Sequence, residues 1–143
     1  MINIEMARDY MMRAKRFLRE AEMALVEGDN ATSIRRSQEA LEMAVKALLR
    51  ALGIEYPRSH DVSDVLIDHG DALPENLRSE VEDLAKLVSQ LASIRGPALY
   101  GYEREGIPAS KAFSRDYATE VLLAVRRYVN LIEKELREAR ILD

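Results

Sequence analysis

SIRRSQEALEMAVKALLRALG, residues 33–53, is the stretch that decides the fold. Its apolar and small residues fall at Ile34, Ser37, Leu41, Ala44, Val45, Leu48, Leu49 and Leu52, mostly three and four apart. That is the spacing of one helix face. Small side chains at Ser37, Ala40 and Ala44 let a second helix approach closely, because interaxial distance depends on the residues at the contact. Gly53 suits the left-handed position that ends a helix. Upstream, Asp29 or Asn30 offers the side-chain oxygen that caps a helix start. The spacing predicts a helix over 31–52.

Working outward, the same periodicity recurs on both sides. Residues 6–27 repeat it with Ala7, Tyr10, Met11, Ala14, Phe17, Leu18, Ala21, Ala24 and Leu25. The link Gly28-Asp29-Asn30 is so short that the two helices must be antiparallel neighbours. Downstream, Pro57 forbids helix, and Ser59 or Asp61 can cap a short helix with Val62, Val65, Leu66 and His69 inward. A further helix over 74–95 carries Leu77, Val81, Leu84, Val88 and Leu91. The last, over 115–139 and started by Ser114 or Asp116, carries Ala118, Val121, Leu122, Val125, Tyr128, Leu131, Ile132 and Leu136. No segment alternates with period two, so no sheet is expected. The fold class is all-α: one domain over 1–143, an antiparallel up-and-down four-helix bundle with one additional short helix.

Composition narrows the function. The 143 residues are 48% hydrophobic and 32% charged, which places the chain among ordinary folded proteins. There is no cysteine, hence no thiolate nucleophile or thiolate metal site, and two histidines do not make a His-rich centre. No metal and no cofactor is expected. No apolar run reaches the roughly 20 residues that span a bilayer, and the charged N-terminus lacks a signal-peptide core. A membrane partner is not expected, and the localisation expected is cytoplasmic. The net charge of −4 argues against non-specific binding to bulk nucleic acid.

The chemistry concentrates in LASIRGPALYGYE, residues 91–103. Arg95 follows Leu91 at the position where the apolar stripe should continue, so it points toward what Leu91 and Val88 bury. One reading is a last-turn cation that offsets the helix dipole. The other is that Arg95 lines a polar pocket at the bundle end with Tyr100 and Tyr102. Gly96-Pro97 is expected to stop the helix and open an irregular loop over 96–114. Over residues 95–115 the basic groups are Arg95, Arg104, Lys111 and Arg115, against Glu103 and Glu105, which favours an anionic ligand. His60 stands beside a helix start without a second histidine at relay spacing, and a structural role is expected for it.

On these residues the chain resembles the HEPN domains, small all-α proteins of bacteria and archaea. Residues 33–66 look like the second family helix and its Pro-to-His-Asp link. Many HEPN ribonucleases carry an arginine, four to six residues, then a histidine. The versions paired with small nucleotidyltransferases often add one residue and a tyrosine. Arg95 matches the arginine and Tyr102 the tyrosine, while Tyr100 stands where the histidine belongs.

The resemblance implies a homodimer that brings two motifs together and cleaves RNA without metal, the 2′-hydroxyl attacking the adjacent phosphate. Arginine suits the phosphate. Histidine suits the proton transfer, whereas an ordinary tyrosine, with a pKa of about 10, keeps its proton at pH 7. The candidate catalytic residues are therefore Arg95 and Tyr100, and the candidate nucleotide or phosphate ligands are Arg95, Tyr100, Tyr102 and Arg104. A partner nucleotidyltransferase, as in a toxin–antitoxin pair, would make Tyr102 an acceptor of adenylate. Three readings stand: a weakly active or inactive HEPN homodimer that binds nucleotide, RNA phosphate or a nucleotidyltransferase; a metal-independent endoribonuclease using Arg95 with Tyr100 or His60; and a purely structural dimerisation module.

Overall fold

The computed structural model describes residues 1–142. Helix α1 spans Ile4–Val26 and α2 spans Asn30–Leu52. The Asp29 side chain accepts the Thr32 N–H at 3.1 Å and starts α2. At its other end Gly53 adopts φ 72°, Gly53 N–H bonds Arg50 O at 3.3 Å and Ile54 N–H bonds Leu49 O at 2.9 Å. That double bond is the Schellman ending, which needs a left-handed residue.

Short pieces follow: α3 Ser63–Asp68, a 3₁₀ turn at Gly70–Ala72, and α4 Glu75–Arg78. Then come α5 Val81–Ser93, α6 Arg95–Tyr100, α7 Ala109–Ala112 and α8 Arg115–Glu138. The Ser114 side chain caps α8 through the Tyr117 N–H at 3.1 Å. Helix α2 is the hub, touching α1, α5, α6, α7 and α8. Ile34, Leu41, Val45, Leu48 and Leu49 are fully enclosed, together with the small Ser37, Ala40 and Ala44. Each large aliphatic side chain so buried is worth about 1.5–3 kcal/mol. Four long helices and an all-α bundle are as the periodicity predicts.

The predicted helix over 74–95 is instead three helices. The first break, at Ser79-Glu80, has no glycine or proline behind it. Tertiary contacts fix it: Asn76 donates to Glu135 Oε1 at 2.6 Å, and Arg127 on α8 bonds Glu80 at 3.0 Å. The second break falls at Ile94 (φ −102°, ψ 5°), earlier than Gly96-Pro97. Proline removes the hydrogen bond to the carbonyl four residues back and clashes with it, so Pro97 is felt at Ser93. Proline sits comfortably in the first turn of α6, where its missing N–H has no partner anyway.

The stretch 96–114 is accordingly not irregular. After α6, Tyr102 and Ile107 exchange backbone bonds of 2.8 and 3.1 Å in a tight hairpin. Gly101, at φ 76° and ψ −166°, turns the chain into it. A Cβ there would stand 2.2 Å from Ile107 O, so only glycine fits. His69 is exposed rather than inward, its Nδ1 3.1 Å from Val65 O. No described helix is long and apolar enough to cross a membrane.

Candidate functional site

Helix α2 presents Gln38, Glu42 and Lys46 at successive i, i+4 positions, which share one face. Gln38 and Glu42 are buried among apolar neighbours, and a buried polar group must find partners. Glu42 accepts from Gln38 Nε2 at 2.9 Å and from Lys46 Nζ at 2.9 Å, and lies 3.0 Å from His60 Nδ1. The other end of the Gln38 amide accepts from Arg95 Nη1 at 2.6 Å. The amide orientation is forced, since a carboxylate needs a donor and a guanidinium an acceptor. Three successive hydrogen bonds thus run from His60 through Glu42 and Gln38 to Arg95. Side chains around this relay, including Leu41, Val88 and Leu91, leave no room for a water-sized molecule.

Electrostatics follow from that packing. Burial pushes the Glu42 carboxyl up, but hydrogen bonds from Lys46, Gln38 and His60 outweigh it and hold the group below the usual carboxylate range. Around Arg95, Glu39 gathers three guanidinium groups. It lies 2.6 Å from Arg36, 3.9 Å from Arg95 and 4.0 Å from Arg35. Arg35 Nη1 also donates to the Arg95 backbone carbonyl at 2.6 Å. Burial and then the nearby Arg95 charge lower the Arg35 pKa.

Arg95 therefore does turn inward beside Leu91, but as the first residue of α6 it is not a last-turn cation. It ties α6 to α2. Tyr100, at the last turn of α6, is 66% exposed; its side chain makes no hydrogen bond among the described residues but lies close enough to the Arg35 guanidinium to interact with it electrostatically. Tyr102 sits on the hairpin with its ring 6.2 Å from Phe113, which stacks in turn on Tyr117 at 6.2 Å. Arg104 is exposed at the hairpin tip. Leu99 and Ile107 are exposed as well, so the α6–hairpin segment offers apolar and phenolic surface beside the arginines. The motif residues Arg95, Tyr100 and Tyr102 thus share one short segment, while His60 reaches Arg95 only through the relay.

Sequence reasoning missed Arg35, Gln38, Glu39 and Glu42. A signal was present: Gln38 and Glu42 immediately follow the inward Ser37 and Leu41, so they flank the apolar stripe. Among the described residues no group of three or more carboxylates or histidines could hold a metal ion.

The family model described as the HEPN domain matches residues 7–136. The crystal structure of TT1696 from Thermus thermophilus is similar to the chain, with a TM-score of 0.75 and 31% sequence identity. That likeness covers 91% of this chain and 98% of TT1696. Among proteins of curated function none matches.

Proposed function

The chain belongs to the HEPN domain family, and from that premise we propose a catalytically weak or inactive member that works by docking. Its Arg95–Tyr100–Tyr102 face would take an RNA or nucleotide phosphate, or a partner nucleotidyltransferase, in a homodimer. One observation carries this reading. The position that calls for a proton-transferring histidine holds Tyr100, a phenol that is 66% exposed and makes no side-chain hydrogen bond among the described residues. General-base catalysis needs a proton acceptor within hydrogen-bond reach, most often a histidine, and residues 91–103 contain none.

Two further features support it. The Arg95 guanidinium is already engaged by Gln38 and Glu39, which fits weak or absent catalysis, and Arg104 at the hairpin tip is the motif-side cation exposed to a phosphate. The exposed Leu99, Tyr100, Tyr102 and Ile107 suit contact with another surface or with a base. Tyr102, on an exposed hairpin beside Arg104, is the proposed acceptor if the partner transfers adenylate.

The test is RNA cleavage in EDTA by wild type, Arg95→Ala and Tyr100→His, with mass measured in solution. We expect a dimer, no cleavage by wild type and cleavage gained by Tyr100→His. Wild-type cleavage that disappears in Arg95→Ala would overturn the proposal in favour of a metal-independent endoribonuclease. A monomer with no affinity for RNA, nucleotide or a nucleotidyltransferase would overturn the docking role too.

A further inference from the structure

The exposed side of α1 carries an open groove of about 520 Å³, lined by Arg19, Glu22, Met23, Val26 and Glu27. Met23 is 61% exposed and Val26 82%, more than any other large apolar side chain after Met1. Leu123, also exposed, stands at the same level on α8, one turn before the Arg126 that pairs with Glu22. Apolar surface gathered in this way marks a contact.

The charges around the groove decide what fits it. In the C-terminal half of α1, Lys15 bonds Glu133 at 2.9 Å, Arg16 bonds Glu20 at 3.3 Å, and Glu22 lies 3.3 Å from Arg126. Arg19 and Glu27 are exposed and have no ion-pair partner among the described residues. They stand four positions before and four positions after Met23, on the same face. About 12 Å of helix axis separates them, at a rise of about 1.5 Å per residue. With Met23 between them, they do not meet within one chain. A second α1 running the opposite way reverses their order. If a twofold axis passes through Met23, Arg19 of each copy faces Glu27 of the other, and two pairs close reciprocally over Met23 and Val26. A parallel arrangement sets Arg19 against Arg19, which repels.

We propose that this face joins two copies of the chain in an antiparallel twofold contact centred on Met23, each Arg19 pairing with Glu27 of the other copy. Methionine suits the centre, because its flexible side chain fills irregular gaps. One helix face buries less than a standard interface, so the association is weak and depends on concentration. The contact uses none of Arg95, Tyr100 and Tyr102 and does not depend on the docking reading. Where both contacts form, the assembly is larger than a dimer.

The experiment is sedimentation of the full chain over a wide concentration range. Wild type is compared with Arg19→Glu, Glu27→Arg, the double variant, and an equal mixture of the two single variants. Both positions are exposed, so melting temperatures should stay nearly unchanged. Wild-type mass should rise with concentration, and each single variant should halve the mass reached, because it sets like charges opposite each other. The double variant and the mixture should both recover the wild-type mass, since each restores opposite charges across the axis. A wild-type mass unchanged in both single variants would overturn the contact. Loss in the single variants without recovery in the double variant and the mixture would overturn it as well. Single variants that fall to a dimer leave the motif-side homodimer standing beside this contact. Single variants that fall to a monomer support this contact and remove that homodimer.

Discussion

The two ends of α2 carry the same kinds of side chain and use them differently. In its first half, Arg35, Arg36 and, from α6, Arg95 close around Glu39, and each has a donor engaged by a protein atom. In its second half Arg50 and, across the link, Arg58 face a cavity without a carboxylate. The first arrangement holds α6 and the hairpin in place, so its cations act as structure. The second engages Arg50 with the neutral Tyr56 and Lys46 with Glu42, so only the exposed Arg58 is without a carboxylate or aromatic partner among the described residues. An arginine at a motif position is therefore not the more available arginine. Glu42, bonded to Gln38 on one side and to Lys46 and His60 on the other, joins the two regions.

The largest effect should come from that junction. Glu42→Ala would leave the buried Gln38 amide, Lys46 and His60 without their shared acceptor, at a cost of about 2–3 kcal/mol in urea denaturation. A loss below about 1 kcal/mol would mean the two regions are energetically separate. The same residue gives a pH signature. Hydrogen bonds from Lys46, Gln38 and His60 hold its folded pKa below the usual carboxylate range, against the upward push of burial. Its contribution is thus complete above the unfolded pKa and lost as pH falls through the folded one. Stability of wild type should fall below about pH 4.5, and Glu42→Gln should flatten that limb.

Next in size is Gly101→Ala, expected to cost about 2 kcal/mol from a backbone conformation almost confined to glycine, with Ile107 O 2.2 Å from the new Cβ. The melting temperature reads it. If the drop is negligible, the hairpin does not hold the Arg95 end. Arg95→Ala should cost about 1 kcal/mol, the usual value of a lost side-chain hydrogen bond, and should increase the hydrogen exchange of α6. Smallest is Arg58→Ala, which should lie within about 0.5 kcal/mol of wild type. A larger loss would show that the second region, too, uses its cations structurally.

Sequence and structure agree where the physics is local. The stripe from Ile34 to Leu52, the Asp29 and Ser114 caps and the Gly53 ending were legible because periodicity, capping and left-handed backbone depend on residues a turn apart. So were the bundle and the short segment that groups Arg95, Tyr100 and Tyr102. The inward turn of Arg95 was legible from its place after Leu91, but its partners were not. Gln38 and Glu39 lie 57 and 56 positions earlier, and only the packing of α6 on α2 brings them together.

The break at Ser79-Glu80 is of the same kind, set by contacts with α8 rather than by any residue that dislikes helix. His60 carries no relay signal in the sequence, because Glu42 is 18 residues away and on another element. What the chain determined by itself is which long segments coil, how the ends at Asp29, Gly53 and Ser114 are capped and which faces of α1, α2 and α8 are buried. What only the tertiary structure decided is which charges are spent on each other and which remain without a partner, since ion pairing depends on distances between helices that no local pattern encodes.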